Sequence, residues 1–239
     1  MNKRIVITAV IVAVVVTVAI LYVGFMREGK ELPTSSEYVG GKYNVTLSSF
    51  KDGHSEIRYT DENGLHSEMY FESQMKTGLD WIKDNTSENS TFLCWWDYGH
   101  SIKGYAERNV VNRNPSHEWI EMVASARTDP TAVKEFDSNE KLVDVAKALA
   151  TSNNTETIQI MEKYGAKYIV VYKDDSLKAP WMYKVASLDP TDYQGQLQDS
   201  TWGFNDRGRQ TMISRLLDDR DTGFTLVYQD TAMKIYTKD

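Results

Sequence analysis

Two tryptophans and an aspartate stand side by side at Trp95, Trp96 and Asp97. An indole N–H only donates hydrogen bonds and an ionised carboxylate only accepts them, whereas a hydroxyl group does both. If the three side chains converge at a strand end, they complement a serine or threonine hydroxyl; a ligand without it would leave buried polar groups unpaired, at about 1–3 kcal/mol each. Tyr98 and Gly99 are then expected to turn the chain, with the glycine at positive φ. The alternative is that the tryptophans are core packing and Asp97 caps the next segment.

Two short motifs occur in the order found in a known family. Residues 95–99 read WWDYG, and Asp175, Lys178 and Met182 fit the pattern DxxKxxxM. A five-residue string with two tryptophans is highly specific, and two motifs in the right order are stronger than either alone. From about residue 73 to residue 238, the chain resembles the soluble C-terminal core of the archaeal oligosaccharyltransferase catalytic subunit. That family comprises membrane enzymes, the dolichyl-(di)phosphooligosaccharide–protein glycosyltransferases, which move a lipid-linked oligosaccharide onto asparagine.

The resemblance implies roles for individual residues. Trp95, Trp96 and Asp97 would bind the hydroxyl at the +2 position of an Asn-x-Ser/Thr acceptor. Residues of the second motif would lie nearby, with Lys178 and the flexible thioether of Met182 lining the same pocket. A solvated turn leading into a helix, with Met182 as ordinary core, is the alternative for that motif. The predicted substrate-binding residues are therefore Trp95, Trp96, Asp97, Tyr98, Gly99, Asp175, Lys178 and Met182.

Catalysis in the family resembled depends on a divalent cation, Mn or Mg, held by acidic residues in a large multi-helix membrane region. This chain has one candidate membrane helix. Asp219 and Asp221 are spaced as in some metal-binding glycosyltransferases, but a solvated loop is the expected setting near this end of the chain. We therefore expect no catalytic residue, no metal ligand and no cofactor in this chain.

Composition limits the classes of partner. The chain of 239 residues has 27 Lys and Arg against 34 Asp and Glu, a formal net charge of −7. An acidic balance argues against a nucleic-acid partner, which requires a basic face. Hydrophobic residues make up 41% of the chain, as in globular proteins. The lone cysteine, Cys94, excludes an internal disulfide and a cysteine-ligated zinc site.

The N-terminus has the pattern of a membrane anchor. An almost uninterrupted apolar run extends from Ile5 to Met26, which as a helix would reach about 33 Å and cross a bilayer core. The run is longer than the apolar region of a cleaved signal peptide. Lys3 and Arg4 precede it without acids, whereas the basic residues after it are offset by glutamates. The positive-inside rule therefore predicts a single-pass cell-membrane protein with a cytoplasmic N-terminus and an extracellular main domain.

Possible glycosylation sites agree with an outward location. The triplet Asn-x-Ser/Thr occurs four times in polar surroundings that are typical of surface loops or strand edges. Such triplets are frequent by chance, so the signal is weak. The candidate asparagines are Asn44, Asn85, Asn89 and Asn153.

The hydrophobic pattern predicts three parts: an anchor over residues 1–30, a linker and small β meander over 31–72, and a core over 73–239. Within the meander, Asn63-Gly64 is typical of a hairpin turn. After it, helices alternate with short strands, which predicts a mixed α/β or α+β core. The expected elements are a helix capped by Ser73, a strand at 91–94, helices from Ser116, at 140–149 and at 155–164, a strand at 167–172, a helix at 209–217 and a closing hairpin.

Three functions follow from these features. The first is a membrane-anchored protein that binds Asn-x-Ser/Thr acceptors in N-glycosylation without the catalytic membrane half. The second is the soluble half of a split glycosyltransferase whose polytopic subunit is a separate polypeptide. The third is a non-binding structural surface protein in which the motifs survive only as packing.

Overall fold

The computed structural model describes residues 33–124, 137–196 and 202–238. The predicted anchor lies outside these residues. Within them, no helix is long and apolar enough to cross a membrane.

The first sheet is the predicted β meander. Four antiparallel strands follow one another in chain order, and each strand pairs with the next. Gly64, at φ +79°, turns the chain between the third and fourth strands, and the Asp61 carboxylate accepts the backbone N–H groups of Asn63 and Leu65 there. The strands are β1 (Ser35–Gly40), β2 (Val45–Ser49), β3 (Ser55–Thr60) and β4 (His66–Tyr70).

A second, five-stranded sheet forms the centre of the core, with the order β10-β11-β7-β5-β6. Its middle strand, β7 (Ala166–Tyr172), is an apolar run buried at six of seven positions, as expected for a strand covered on both faces. β5 (Thr91–Leu93) runs parallel to β7 and to β6 (Asn109–Val110). The predicted closing hairpin, β10 (Thr225–Gln229) and β11 (Met233–Thr237), adds antiparallel to β7.

Seven helices are labelled within the described residues, and the sequence pattern locates most of them. Ser116 begins α3 as expected, since its hydroxyl accepts the Trp119 backbone N–H. Gly165, at φ +62°, ends α5 and leads into β7. The helices are α1 (Lys76–Asn85), α2 (Gly99–Gly104), α3 (His117–Ala124), α4 (Asn139–Ala150), α5 (Asn154–Lys163), α6 (Asp175–Val185) and α7 (Met212–Leu217); β8 (Gln194–Gln196) and β9 (Trp202–Phe204) form a separate two-stranded sheet.

Two helix boundaries differ from the sequence prediction. Ser73 does not cap α1, because residues 73–75 form a 3-10 turn and the helix begins at Lys76 without a side-chain cap. The helix predicted over 209–217 is interrupted at Thr211, which is extended at φ −69° and ψ 153°. The break occurs because Met212 donates its backbone N–H to the Thr151 carbonyl at 2.7 Å instead of to a preceding turn.

Pro180 lies inside α6 without ending it. A proline within a helix cannot bond the carbonyl four residues before it, which here belongs to Ser176. The Gln194 side chain donates to that carbonyl at 2.9 Å. The Gln194 side chain therefore supplies the partner that the proline cannot provide.

Candidate functional site

The two motifs meet because each one follows a strand of the same parallel pair. β5 leads through Cys94 into the WWDYG residues, and β7 leads into the turn before Asp175. The carboxyl ends of adjacent parallel strands lie at one edge of a sheet, where α/β proteins place their ligand crevices. The sheet therefore brings together residues that are about 80 positions apart in the sequence.

A chain of polar contacts joins the two motifs. The Lys178 ammonium lies 2.6 Å from Oδ2 of Asp97 and donates to the Tyr98 hydroxyl at 2.8 Å. The Tyr98 hydroxyl in turn donates to Oδ1 of Asp175 at 2.8 Å. The other Asp175 oxygen accepts the backbone N–H of Tyr172 at 2.9 Å, which fastens the helix to the end of β7.

Burial governs the ionisation of these groups. Burial raises the pKa of Asp175 to about 6, although Lys178, the Tyr172 backbone and Tyr98 all favour its ionised form. Burial opposes the charged form of Lys178, but the carboxylates of Asp97 and Asp175 outweigh it and raise the pKa of the ammonium. The pKa of the Tyr98 hydroxyl is raised well above its ordinary value, chiefly by burial. Tyr98 therefore stays neutral, and Lys178 stays charged.

Asp97 has one oxygen in use and one idle. Its Oδ2 pairs with Lys178, whereas its Oδ1 is buried and has no hydrogen-bond partner. The Asp97 side chain as a whole retains 23% exposure. The carboxylate is thus held by an ion pair and leaves a single acceptor position unused.

Trp95 belongs to a row of three tryptophan rings that pack against one another. The Trp95 ring packs edge-on against Trp119 at 6.1 Å between centroids, and Trp119 packs the same way against Trp181 at 5.1 Å. Trp181 stands one residue before Met182 in α6, and its buried indole nitrogen has no hydrogen-bond partner. Neither Trp119 nor Trp181 belongs to a motif that would mark it for the site. Their only signal was residue type, which does not distinguish a site from a core.

Met182 is fully buried in the hydrophobic core. Met182 therefore lies in the core, which was the alternative expected for this residue. Its role beside a ligand stays a prediction. Trp95, Trp96 and Tyr98 are also at least nine-tenths buried. The residues in the interconnected polar chain are Asp97, Tyr98, Asp175 and Lys178.

His100 directly follows the WWDYG residues and ties α2, in which it lies, to the residues around it. Its Nδ1 hydrogen-bonds the Tyr59 hydroxyl of β3 at 2.9 Å, and its Nε2 hydrogen-bonds the Asn114 amide oxygen at 2.8 Å. Burial lowers the pKa of His100 to about 4, so the ring is neutral near pH 7.

Two cavities lie away from the motifs. One, of about 470 Å³, is lined by the ends of α4, α5 and α6 and by residues 207–211. A smaller one, of about 210 Å³, lies between the meander and α1. Neither is lined by a predicted binding residue. Within the described residues, no group of three or more His, Cys, Asp or Glu side chains is placed to hold a metal ion.

The four candidate glycosylation sites expose their asparagines, as expected for surface positions. Asn44 follows the turn after β1, and Asn85 ends α1. Asn153 uses its side chain to cap α5 by accepting the Thr155 backbone N–H.

Gly99 is required for a reason other than the one expected from the sequence. Its φ is −58°, an ordinary helical value, so the expected positive φ is wrong. A Cβ at Gly99 would lie 2.4 Å from the Asn112 carbonyl oxygen and 2.5 Å from the Arg113 Cα. The glycine therefore permits the loop after β6 to lie against the motif.

The sequence is similar to segments of known glycosyltransferases. The dolichyl-phosphooligosaccharide-protein glycotransferase of Methanocaldococcus jannaschii is 37% identical over 91 residues, 35% of this chain and 8% of that relative. The corresponding Methanococcus voltae protein is 26% identical over 148 residues, 59% of this chain and 14% of its own length. The chain thus matches only a small part of each relative. No protein-family model matches it.

The fold has a solved counterpart. The crystal structure of the C-terminal globular domain of oligosaccharyltransferase from Archaeoglobus fulgidus superposes with a TM-score of 0.51 at 20% identity, over 72% of this chain and 100% of that domain.

We expect Gly99→Ala to destabilise the protein by about 2–4 kcal/mol, because the new methyl group meets backbone that cannot move aside without disturbing the sheet edge. Gly195→Ala is the matched control, since a Cβ there meets nothing within 4 Å. Urea unfolding of both variants measures the difference, and an equally small effect at both positions would contradict the contact.

Asp175→Asn should remove a pH-dependent loss of stability. Because burial raises the pKa of Asp175 to about 6 from 3.8, the folded state holds its proton more tightly than the unfolded state. The wild type therefore loses stability through this group as pH rises from about 4 to about 6, on the order of 2–3 kcal/mol in total. The unfolding free energy of the variant minus that of the wild type should increase over this window and level off above it. A difference that is independent of pH would show that Asp175 ionises without cost.

The chain therefore has the fold of an oligosaccharyltransferase C-terminal globular domain, and parts of its sequence are similar to dolichyl-phosphooligosaccharide-protein glycotransferases.

Proposed function

We propose that this protein binds Asn-x-Ser/Thr segments through the WWDYG residues, as a membrane-anchored binding protein of N-glycosylation. The observation that carries the proposal is the state of Asp97. Lys178 holds one of its oxygens at 2.6 Å, and the other oxygen has no partner. A buried acceptor without a partner is costly and rare in native proteins, and a hydroxyl donor would satisfy it.

The ion pair supports this use of Asp97. A carboxylate that is free to rotate would present either oxygen and would lose side-chain entropy on binding. Lys178 fixes the side chain before a ligand arrives, which reduces that cost. An ionised carboxylate can accept a hydrogen bond at either oxygen but cannot donate one.

Peptide titration of the full chain in detergent micelles tests the proposal. We expect an Asn-x-Thr peptide to bind about 5- to 100-fold more tightly than its Asn-x-Val counterpart, which has the same shape without the hydroxyl. Asp97→Ala should abolish this preference, because the acceptor is gone. Asp192→Asn removes a charge from an exposed ion pair with Arg207 and serves as the control that keeps the preference.

Calorimetry measures six affinities, those of the two peptides for the wild type and for each of the two variants. Equal binding of the two peptides to the wild type, or no binding at millimolar concentration, would refute the proposal. The third possibility, a structural protein whose motif residues only pack, would then remain.

Similarity to a segment of a much longer glycosyltransferase favours a second candidate, the soluble half of a split transferase. Its metal-binding acids and its lipid-linked donor would belong to a separate polytopic subunit. Co-purification with such a subunit, together with glycosyl transfer that Asp97→Ala abolishes, would distinguish an enzyme from a binding protein.

A further inference from the structure

Asn112 carries a buried amide whose two polar atoms are both unpaired. The residue is 1% exposed, and neither its Oδ1 nor its Nδ2 has a hydrogen-bond partner. Native proteins pair most of their buried polar atoms, so an amide with no bond at either end requires an explanation. Arg58 and Arg215 also have one buried nitrogen without a partner, but each forms an ion pair or hydrogen bonds through its other nitrogens.

The position of Asn112 connects this amide with the proposed site. It lies two residues beyond β6, which runs parallel to β5, so it follows the same edge of the sheet as the two motifs. Its carbonyl oxygen abuts Gly99, the last residue of WWDYG. Three consecutive parallel strands, β7, β5 and β6, therefore lead into Asp175, Asp97 and Asn112 in turn.

The backbone on both sides of Asn112 is fixed. Val111 donates its backbone N–H to the Phe92 carbonyl at 3.0 Å. Arg113 and Asn114 donate theirs to the same oxygen of Asp137, at 2.6 and 2.9 Å. The backbone that carries the Asn112 side chain is thus fixed, and its unpaired amide is not the consequence of a loose loop.

We propose that Asn112 is a further acceptor-binding residue, whose side-chain amide pairs with a backbone peptide unit of the bound segment. This inference rests on the proposed function. A side-chain amide has one acceptor and one donor group, which match the N–H and C=O of a peptide unit. Every peptide brings that unit whatever its sequence. Asn112 therefore contributes affinity that all peptides share, whereas Asp97 discriminates for the hydroxyl.

In the free protein, the unpaired Asn112 amide lowers stability, whereas in the complex it would contribute to affinity. Replacing an unpaired buried amide with an apolar side chain of similar shape removes polar atoms that gain nothing from burial. Asn112→Leu should therefore leave the melting temperature unchanged or raise it while weakening peptide binding. A purely structural amide would give a lower melting temperature.

The experiment uses the full chain in detergent micelles, titrated with the Asn-x-Thr and Asn-x-Val peptides. We expect Asn112→Leu to weaken both affinities about 5- to 20-fold without changing their ratio, and without lowering the melting temperature. Asn114→Leu is the matched control, because the Asn114 amide oxygen is already paired with His100. That variant should lose thermal stability and, where folded, keep the wild-type affinity.

A spectroscopic readout covers the case in which Asn112→Leu does not fold. In the wild type labelled with ¹⁵N-asparagine, the Asn112 side-chain NH₂ resonances should shift when the Asn-x-Thr peptide is added. Unchanged resonances, affinity within twofold of the wild type, or a melting temperature lowered as in Asn114→Leu would each overturn the inference while leaving the proposed function intact. A wild type that binds neither peptide would overturn both.

Discussion

The Lys178 ammonium is the interaction on which the arrangement of the site depends. It contacts the Asp97 carboxylate and the Tyr98 hydroxyl, and its nitrogen also lies 4.3 Å from the centre of the Tyr98 ring. Without this cation, the Asp97 carboxylate would lose its ion pair, and the Tyr98 hydroxyl would contact Asp175 alone. A buried charge is tolerated when it is paired and hydrogen-bonded, and Lys178 satisfies both conditions for its neighbours as well as for itself.

This contact is possible because of the sheet topology. β5 and β7 run parallel and adjacent, so the chain leaves both strands at the same edge. α6 then begins directly at that edge, with Asp175 in its first turn and Lys178 one turn later. Asp175 anchors the helix by accepting the Tyr172 N–H, and Lys178 reaches across to Asp97. The distance between the motifs in the sequence is therefore irrelevant to their distance in the fold.

Much of the fold could be predicted from the sequence because local patterns carried it. Alternating polarity predicted the meander, Asn63-Gly64 its turn, and the buried run at 167–172 the central strand. The failures involve contacts between distant residues. Gly99 has an ordinary helical φ, so its backbone conformation does not require glycine. A side chain is excluded there only because the loop after β6 lies against it. The break at Thr211 results from the hydrogen bond between the Met212 backbone N–H and the carbonyl of Thr151, about 60 residues away. Neither of these distant contacts can be predicted from the residues adjacent in the sequence.

The candidate site was predictable in its composition but not in its connections. The residues of the two motifs were identified, yet Asp97 was expected to act as a free carboxylate beside two indoles. In the fold, Lys178 occupies one of its oxygens, which leaves a single acceptor position. Asn112 and Trp181 had no motif to mark them, since an asparagine in a loop and a tryptophan in a helix are ordinary.

Buried polar groups without partners add nothing to the stability of the free protein, so their presence favours a binding site over a motif that survives only as packing. Replacing the idle amide of Asn112 by an apolar residue of similar shape would cost the free protein little, so stability alone gives no reason to keep it. The same holds for the indole N–H of Trp181, where an aromatic ring without the nitrogen would fill the same space. Elsewhere in this core, comparable groups are fully used: His100 bonds through both ring nitrogens, and Arg108 donates to carbonyl oxygens that end α1. Asn112 and Trp181 instead leave polar atoms unpaired beside the two motifs. Proteins accept such local losses of stability where they bind.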